Sequence, residues 1–514
     1  MTVNLVGPTE RRRANFHGFV HAHNARLVDG DGNNLLLRGV GLGNWLLPEG
    51  YMWKFGIGAE SPREIEKLIF ELLGDELGQE FWSDFRKTFI CEDDIALISL
   101  SGFDHVRLPI NSRIIMTIDG LPIESGFKLI DQLIEWCRKH KLWVLLDLHG
   151  APGGQTGTNI DDSPNNLPEL FMDQRYWNQT LEIWRLIAKR YSTETVVLGY
   201  DLLNEPLPNE WQYKYSDDLA RLYREITEVI RSVDSNHLIV YEGSHWATNW
   251  DIFTEVWDEN SLLQFHKYWS SPDMTSIKKF LDFREKLGLP IYMGEGGENN
   301  LEWLYTAFRL YERYEIGWNF WPWKKIDTLT SPLSVNPPSG WERVCNFIKG
   351  EGIISRQEAI EIFRELLQNF KIENCSWRQG IVAALLAENP IVIPAWGYGF
   401  YGDGESYSTQ QTHTIEGVRQ EELVTLEYLH DGTGSGVNFE QNDGRKYLDS
   451  EEIVVKLNKG DWLEFDVSPS TELSKYLVET TEGIDSNITI ENSKRGFKLT
   501  ANELIRLLKI RRIN

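Results

Sequence analysis

Between residues 35 and 321 eight short apolar runs recur, at 35–42, 105–110, 143–148, 196–203, 238–242, 262–266, 290–294 and 316–321. They are rich in Val, Ile and Leu and lack regular polar alternation, the pattern of strands buried on both faces of a parallel sheet. Longer stretches separate them. In 127–136, 219–230 and 301–311 apolar residues fall at i, i+3 and i+4, which predicts amphipathic helices. Eight strand–helix units predict a closed (β/α)8 TIM barrel. An open doubly wound sheet shares the alternation, but no glycine-rich phosphate loop follows the first run. Upstream, the segment 19–34 contains Asp29-Gly30-Asp31-Gly32, a turn signal that predicts a hairpin plugging the N-terminal end of the barrel. A helical stretch is predicted over 355–387. At Asn389-Pro390 the texture changes to short alternating runs such as 452–457 and 461–467, separated by Gly, Asp and Ser turns, for example 431–436. This predicts a C-terminal β-sandwich. The expected domains are 1–387, the barrel with its hairpin, and 388–514, the sandwich.

The chain has 514 residues, 41% hydrophobic and 25% charged, enough apolar material for a large core. Its formal net charge of −25 repels nucleic acid and anionic membrane surfaces, and favours a neutral substrate. Two short basic runs, Arg11-Arg12-Arg13 and Lys509-Ile510-Arg511-Arg512, are read as solvated ends. No apolar run reaches the length of a membrane span. The start, Met1 to Leu5, lacks a basic region followed by an apolar run, so a cytoplasmic location is expected, or secretion if the sequence is truncated. The cysteines Cys91, Cys137, Cys345 and Cys375 are far apart, and are read as buried free thiols rather than a disulfide framework or zinc site. Aromatic residues change the picture more. There are 20 Trp, and several stand beside polar loop residues, as in Gly43-Asn44-Trp45 and His245-Trp246. Flat aromatic faces with polar neighbours suit sugar rings.

In a (β/α)8 enzyme the site lies at the C-terminal ends of the strands. Run two carries Arg107, run three ends with Asp147 and His149, and run four ends with Asn204-Glu205-Pro206. Run five ends with Glu242 and His245-Trp246, run six with His266 and Tyr268, run seven with Glu295, and run eight with Trp321. Glu205 and Glu295 each follow an apolar run and sit beside a residue that lets the chain turn. Acetal cleavage needs a proton on the leaving oxygen and a nucleophile or activated water at the anomeric carbon, and a carboxyl pair supplies both. Burial and mutual repulsion should keep the acid protonated while the nucleophile stays ionised. Asp147 and Asp201 lie inside runs and are read as structural hydrogen-bonding groups. Glu242 is read as a support for the site.

The ordered set Arg107, His149, Asn204-Glu205, His266, Tyr268, Glu295 and Trp321 resembles that of glycoside hydrolase family 5, in the clan with catalytic glutamates after strands four and seven. Arg38-Gly39-Val40-Gly41-Leu42-Gly43-Asn44-Trp45-Leu46 is similar to the exo-β-1,3-glucanase/β-glucosidase branch of that family. So are Asp147-Leu148-His149-Gly150-Ala151-Pro152-Gly153-Gly154-Gln155 and Gly317-Trp318-Asn319-Phe320-Trp321-Pro322-Trp323-Lys324. The resemblance implies a retaining hydrolase acting on β-glucosides or β-glucan, as an exo-acting β-glucosidase or exo-β-1,3-glucanase, with Glu205 as acid/base, Glu295 as nucleophile and no cofactor or metal. It implies that Asn204 donates to the sugar 2-hydroxyl and that Arg107 and Tyr268 hold Glu295. It further implies that His149 and His266 bind sugar hydroxyls or support the carboxylates, that Trp321 stacks under the ring, and that Glu49 binds a terminal glucose, with Asp161 or Asp162 closing the pocket. The C-terminal region resembles the family 6 and 35 type of carbohydrate-binding sandwich over 391–395, 399–407 and 460–467. The early glutamate that holds calcium there is absent after Pro394.

Three alternatives stay open. An endo-β-glucanase would use the same pair. A metal-dependent barrel hydrolase would use the His21-Ala22-His23 pair. A non-catalytic sugar-binding protein would keep the tryptophans without needing both glutamates. Hydrolysis and transglycosylation are also both open, since any good acceptor can replace water.

Overall fold

The computed structural model describes residues 14–409, 415–430, 436–484 and 487–513. The Arg11–Arg13 run and all but the last residue of the 431–436 turn lie outside the described residues. All eight apolar runs form strands: β1 (Arg38–Gly41), β2 (His105–Asn111), β3 (Trp143–Gly150), β4 (Val197–Asp201), β5 (Leu238–Glu242), β6 (Ser261–His266), β7 (Ile291–Gly297) and β8 (Gly317–Trp321). They close into one parallel barrel, each strand beside its sequence neighbour and β8 beside β1. The side chains of β2, β3, β4 and β5 are buried along their whole length, as the apolar runs require. The predicted helices appear as Glu124–His140, Ser216–Arg231 and Leu301–Arg313. β1 is shorter than its apolar run because Asn34–Leu35 pairs with Arg26–Val28 instead.

That pairing builds a three-stranded antiparallel plug, His21–His23, Arg26–Val28 and Asn34–Leu35. Asp29 Oδ1 closes its turn, accepting from the backbone N–H of Asn33 at 2.8 Å and Asp31 at 3.1 Å. Val20 and Leu27 pack with Leu37, Trp143, Leu198, Leu238 and Leu262 at the starts of the strands, so apolar burial fills the N-terminal end. Loops and strand ends at the opposite face are left to carry chemistry.

Among the described residues, the C-terminal region folds as two antiparallel sheets, one of six strands and one of four. Here the basic run Lys509–Arg512 differs from its expected role as a solvated end. It belongs to the strand Ile505–Arg512, which pairs with Tyr476–Thr480 on one edge and with Ile453–Leu457 and Val392–Pro394 on the other. Its charges are partnered: Lys509 Nζ meets Glu452 at 2.6 Å and Glu302 at 3.2 Å, and Arg511 meets Glu479. Glu302 lies on the barrel helix Leu301–Arg313, so this pair crosses between the two units. That helix is buried all round, from Glu302 to Tyr311, because the barrel covers one side and the sandwich the other. In the segment after Pro394, the Arg419 guanidinium lies 3.5 Å from the Tyr398 ring centroid and donates to the carbonyls of Trp396, Tyr398 and Gly399. Of the cysteines, Cys137 and Cys375 are buried, whereas Cys91 and Cys345 are half-buried, and all four are free thiols. No described helix is long and apolar enough to cross a membrane.

Lys509→Ala should leave Glu302 and Glu452 facing each other without a cation. The expected loss is about 3–5 kcal/mol, the scale for breaking a largely buried pair from one side. It is read as a lower midpoint of thermal or urea unfolding, with a smaller deficit at acidic pH, where the stranded carboxylates take up protons.

Candidate active site

β4 and β7 deliver the two glutamates to the C-terminal face. One carboxylate oxygen of Glu205, one of Glu295 and a ring nitrogen of His266 lie within 4.8 Å of one another. In β7 the register slips around Gly294 and Glu295 against both neighbours, a bulge that re-aims the strand end. Gly294 is required by close approach: a Cβ there would lie 2.0 Å from the side-chain amide carbon of Gln264. After β4, Glu205 takes a left-handed backbone with φ 45°, and Leu207 and Asn209 do the same with φ 52° and 50°. Pro206 and Pro208 follow two of them and disfavour the ordinary helical region. Such backbone costs about 1–3 kcal/mol per residue and persists where the surroundings over-determine it. Here the Glu205 N–H donates to Glu242 Oε2 at 2.7 Å, and Leu207 N–H to the Gln155 carbonyl.

Beneath the pair lies a buried polar lattice centred on Arg107. Its guanidinium donates to Glu295 Oε2 at 2.7 Å, Asp201 Oδ2 at 2.8 Å, Asn204 Oδ1 at 2.8 Å and Glu242 Oε1 at 3.1 Å, and reaches Asp147 Oδ2 at 3.2 Å. Tyr268 donates its hydroxyl to Glu295 Oε1 at 2.9 Å, so both Glu295 oxygens are held. His266 stands 2.8 Å from Glu205 Oε1 through Nδ1 and 3.3 Å from Glu242 through Nε2. Burial opposes a charge on His266, but Glu242, Glu295 and Glu205 outweigh it and raise the imidazole well above its usual range. Burial pushes Asp147 up to about 8 and Asp201 well above the carboxylate range. It also acts on Glu242, but the cations His266 and Arg107 hold that carboxyl low. Burial raises Glu295, with Glu205 adding to it and His266 and Arg107 opposing. Two cations, Arg107 and His266, thus face the carboxylates of this lattice, and burial works against ionising all of them together.

His149 Nδ1 is 2.7 Å from Asp147, its Nε2 is 3.2 Å from Asn204 Nδ2, and its ring stacks on Trp321 with centroids 5.5 Å apart. Trp321 donates its indole N–H to Tyr51 at 3.0 Å, and Tyr51 donates to Glu298 at 3.4 Å. Lys325 pairs with Glu298. Glu49 is 5% exposed, and its Oε1 has no hydrogen-bond partner. Burial, then Glu295, Glu298 and Glu205, raise its carboxyl well above the usual range. Asp161 and Asp162 do not face this pocket. Asp161 accepts from the N–H groups of Thr156, Gly157 and Ser163, because a long loop with buried backbone donors needs internal acceptors, and Asp162 ties the loop to Arg63, Arg113 and Asn111. The group of metal-ligand types that clusters among the described residues is Glu205, His266 and Glu295. Within it, His266 Nδ1 bonds Glu205 Oε1, both Glu295 oxygens accept from Arg107 and Tyr268, and the Arg107 cation stands alongside. His21 and His23 lie in the plug at the opposite end.

Residues 75–327 match the family model Cellulase (glycosyl hydrolase family 5). A β-xylosidase of Phanerodontia chrysosporium is 26% identical over 348 residues, covering 60% of this chain and 71% of that protein. Endoglucanase C of Acetivibrio thermocellus is 28% identical over 316 residues, covering 48% and 88%. A probable glucan 1,3-β-glucosidase A of Emericella nidulans is 31% identical over 264 residues, covering 49% and 62%. The barrel is a family 5 glycosyl hydrolase domain. It acts on O-glycosyl bonds with retention of configuration, on a carbohydrate substrate.

In this family 5 barrel the structure brings together Arg107, His149, Asn204, Glu205, His266, Tyr268, Glu295, Trp321 and Glu49. Sequence reasoning missed Gln264, which donates to Asp201 at 2.9 Å and to Glu242 at 2.5 Å. It also missed Tyr51, Glu298 and Lys325. Gln264 carried a signal: a polar residue inside an apolar run, two positions before His266. The other three, Tyr51 in the short helix Gly50–Trp53, Glu298 after β7 and Lys325 in the short strand Lys324–Ile326, carry no such mark.

Burial lowers His149 from 6.5 to about 4, so the folded protein keeps this imidazole neutral where the unfolded chain protonates it. The unfolded state then binds more protons, and stability should fall as pH drops from 6.5 towards 4. His149→Gln should fall less steeply over that window, measured by urea unfolding of both proteins at a series of pH values.

Proposed function

We propose that this chain is an exo-acting β-glucosidase or exo-β-1,3-glucanase that works by double displacement on Glu295 and Glu205. Glu295 attacks the anomeric carbon and forms a glycosyl ester as the bond to the leaving oxygen breaks. Glu205 gives that oxygen its proton, then takes a proton from the water that cleaves the ester. The β-configured sugar is released, and Glu205 regains its acid form. The observation that carries this reading is the approach of the two carboxyls to within 4.8 Å. Retaining pairs stand about 5–5.5 Å apart, while inverting pairs stand about 6.5–9.5 Å apart to admit a water. Arg107 and Tyr268 favour the ionised form of Glu295, through charge-assisted and hydroxyl hydrogen bonds. Arg107 binds Asn204 Oδ1 and His149 Nε2 takes one amide N–H, which leaves the other N–H for the sugar 2-hydroxyl, where a hydrogen bond strengthens in the transition state.

Glu49 supports exo action. A buried carboxyl with a free oxygen beside both catalytic glutamates is a costly group unless a ligand completes it. Hydroxyls of a terminal glucose would do so, with Trp321 under the ring. The similarity to a glucan 1,3-β-glucosidase points the same way.

Assays on β-linked gluco-disaccharides and on β-glucan polymers test the proposal. Glucose alone should appear from chain ends, and a ladder of oligosaccharides from polymer would make the enzyme endo-acting. Glu205→Ala should lose about 10²–10⁴-fold on sugar leaving groups and less on activated aryl glucosides. Added azide should restore its turnover as β-glucosyl azide. Glu295→Gln should abolish turnover while sugar binding survives, as seen by calorimetry.

A further inference from the structure

Glu242 is wholly buried at the end of β5, and both hydrogen bonds that Glu205 makes among the described residues lead to it. Directly, Glu242 Oε2 accepts the Glu205 N–H at 2.7 Å. Indirectly, Glu242 Oε1 stands 3.3 Å from His266 Nε2, and Nδ1 of the same ring stands 2.8 Å from Glu205 Oε1. The backbone and the carboxyl of Glu205 are thus joined in a ring of contacts that closes through one side chain.

A counter-charge for Arg107 does not account for this geometry. Asp147, Asp201 and Glu295 already meet that guanidinium, and Glu242 offers it Oε1, at 3.1 Å. Oε2 is turned to Glu205, whose left-handed backbone, φ 45°, persists only when its surroundings hold it. Glu242 is itself fixed in place. The Tyr223 hydroxyl donates to its backbone carbonyl at 3.0 Å, and Gln264 Nε2 donates to its Oε1 at 2.5 Å. The loop that continues from β5 grips the rest of the same segment. His245 N–H donates to the Leu207 carbonyl at 3.1 Å, and His245 Nδ1 accepts from the Asn209 N–H at 3.0 Å.

We propose that Glu242 is the positioning residue of the acid/base: it fixes where the Glu205 carboxyl stands relative to the leaving oxygen. Being buried, it acts through the Glu205 N–H and the His266 ring. An ionised carboxylate only accepts hydrogen bonds, and donors face both its oxygens, Glu205 N–H on Oε2 and Arg107, Gln264 and His266 on Oε1. An amide cannot replace it. Its oxygen serves one side, and its N–H₂ then meets donors on the other. Glu242→Gln therefore keeps the size of the side chain and breaks one of the two holds on Glu205 whichever way it lies. A displacement of about 1 Å at a reacting group can cost about 100-fold in rate.

This inference rests on the reading of Glu205 as acid/base, and the test separates the two. Wild type, Glu205→Ala, Glu242→Gln and Asp201→Asn are compared by kcat/KM on two substrates. One is a β-linked gluco-disaccharide, whose leaving sugar needs a proton. The other is dinitrophenyl β-glucoside, whose leaving group needs none. Asp201 bonds Arg107 and Gln264, so Asp201→Asn reports damage to the lattice as a whole. Rates are referred to active sites counted by trapping the glycosyl ester with a fluorinated glucoside, so unfolded protein does not enter. For Glu242→Gln the loss on the disaccharide should exceed that on the aryl glucoside by about tenfold or more, in the same sense as for Glu205→Ala. Asp201→Asn should lose equally on both. Equal losses for Glu242→Gln, or the same selectivity from Asp201→Asn, would overturn the positioning role and leave Glu242 a lattice counter-charge. Equal losses for Glu205→Ala would instead overturn the acid/base reading, and the proposal with it.

Discussion

A single guanidinium organises this enzyme. Arg107 enters the barrel on β2 and touches Asp147 from β3, Asp201 from β4, Glu242 from β5 and Glu295 from β7. It is fully buried, and a cation without water costs several kcal/mol unless its partners are well placed. The cost therefore acts as a constraint on geometry: five strands must end in register with one planar donor group. In return, Glu295, the proposed nucleophile, is held at both oxygens, by Arg107 and Tyr268, before substrate arrives. A second cation, His266, sits between Glu205 and Glu242 and completes the balance of charge. Electrostatic order of this kind is preorganised, so little reorganisation is needed when charge moves in the reaction.

The fold explains how such an array survives. The barrel supplies parallel strands whose ends point one way, and the plug seals the other end with apolar side chains. The sandwich covers the helix that follows β7, and reaches the rim. Asn299 donates to the Phe439 carbonyl at 2.7 Å, and Gly444 packs against Leu329 and Thr330 in the loop beyond β8. These contacts brace the loops that carry Glu298 and Lys325, and through Tyr51 the indole of Trp321. The C-terminal sheets are thus part of the enzyme's frame rather than a loosely tethered module.

Much of this was legible in the sequence, for physical reasons. Strands buried on both faces must be apolar throughout, so all eight runs stood out, and barrel geometry made their last residues the natural place for polar groups. Glu205, Glu295, Arg107 and His266 were readable because each follows or interrupts such a run. Residues whose meaning comes only from contact between loops were not. Tyr51, Glu298 and Lys325 are more than two hundred residues apart at the extremes, and nothing local marks their meeting. Lys509 to Arg512 looked like a solvated end because a basic terminus and a charged strand beside acidic partners have the same composition. Asp161 and Asp162 sat in the right loop for a sugar contact, but that loop's own backbone donors claimed Asp161, and Arg63, Arg113 and Asn111 claimed Asp162.

The most direct test of the central claim is to trap the covalent intermediate. A β-glucoside carrying fluorine at C2 and a good leaving group slows both steps, the second more, so the glycosyl ester accumulates. Peptide mapping by mass spectrometry should then find one fluoroglucosyl unit per chain, on Glu295. Inactivation with the label on another carboxylate, or unlabelled protein that releases an α-configured sugar from ordinary substrate, would contradict the account.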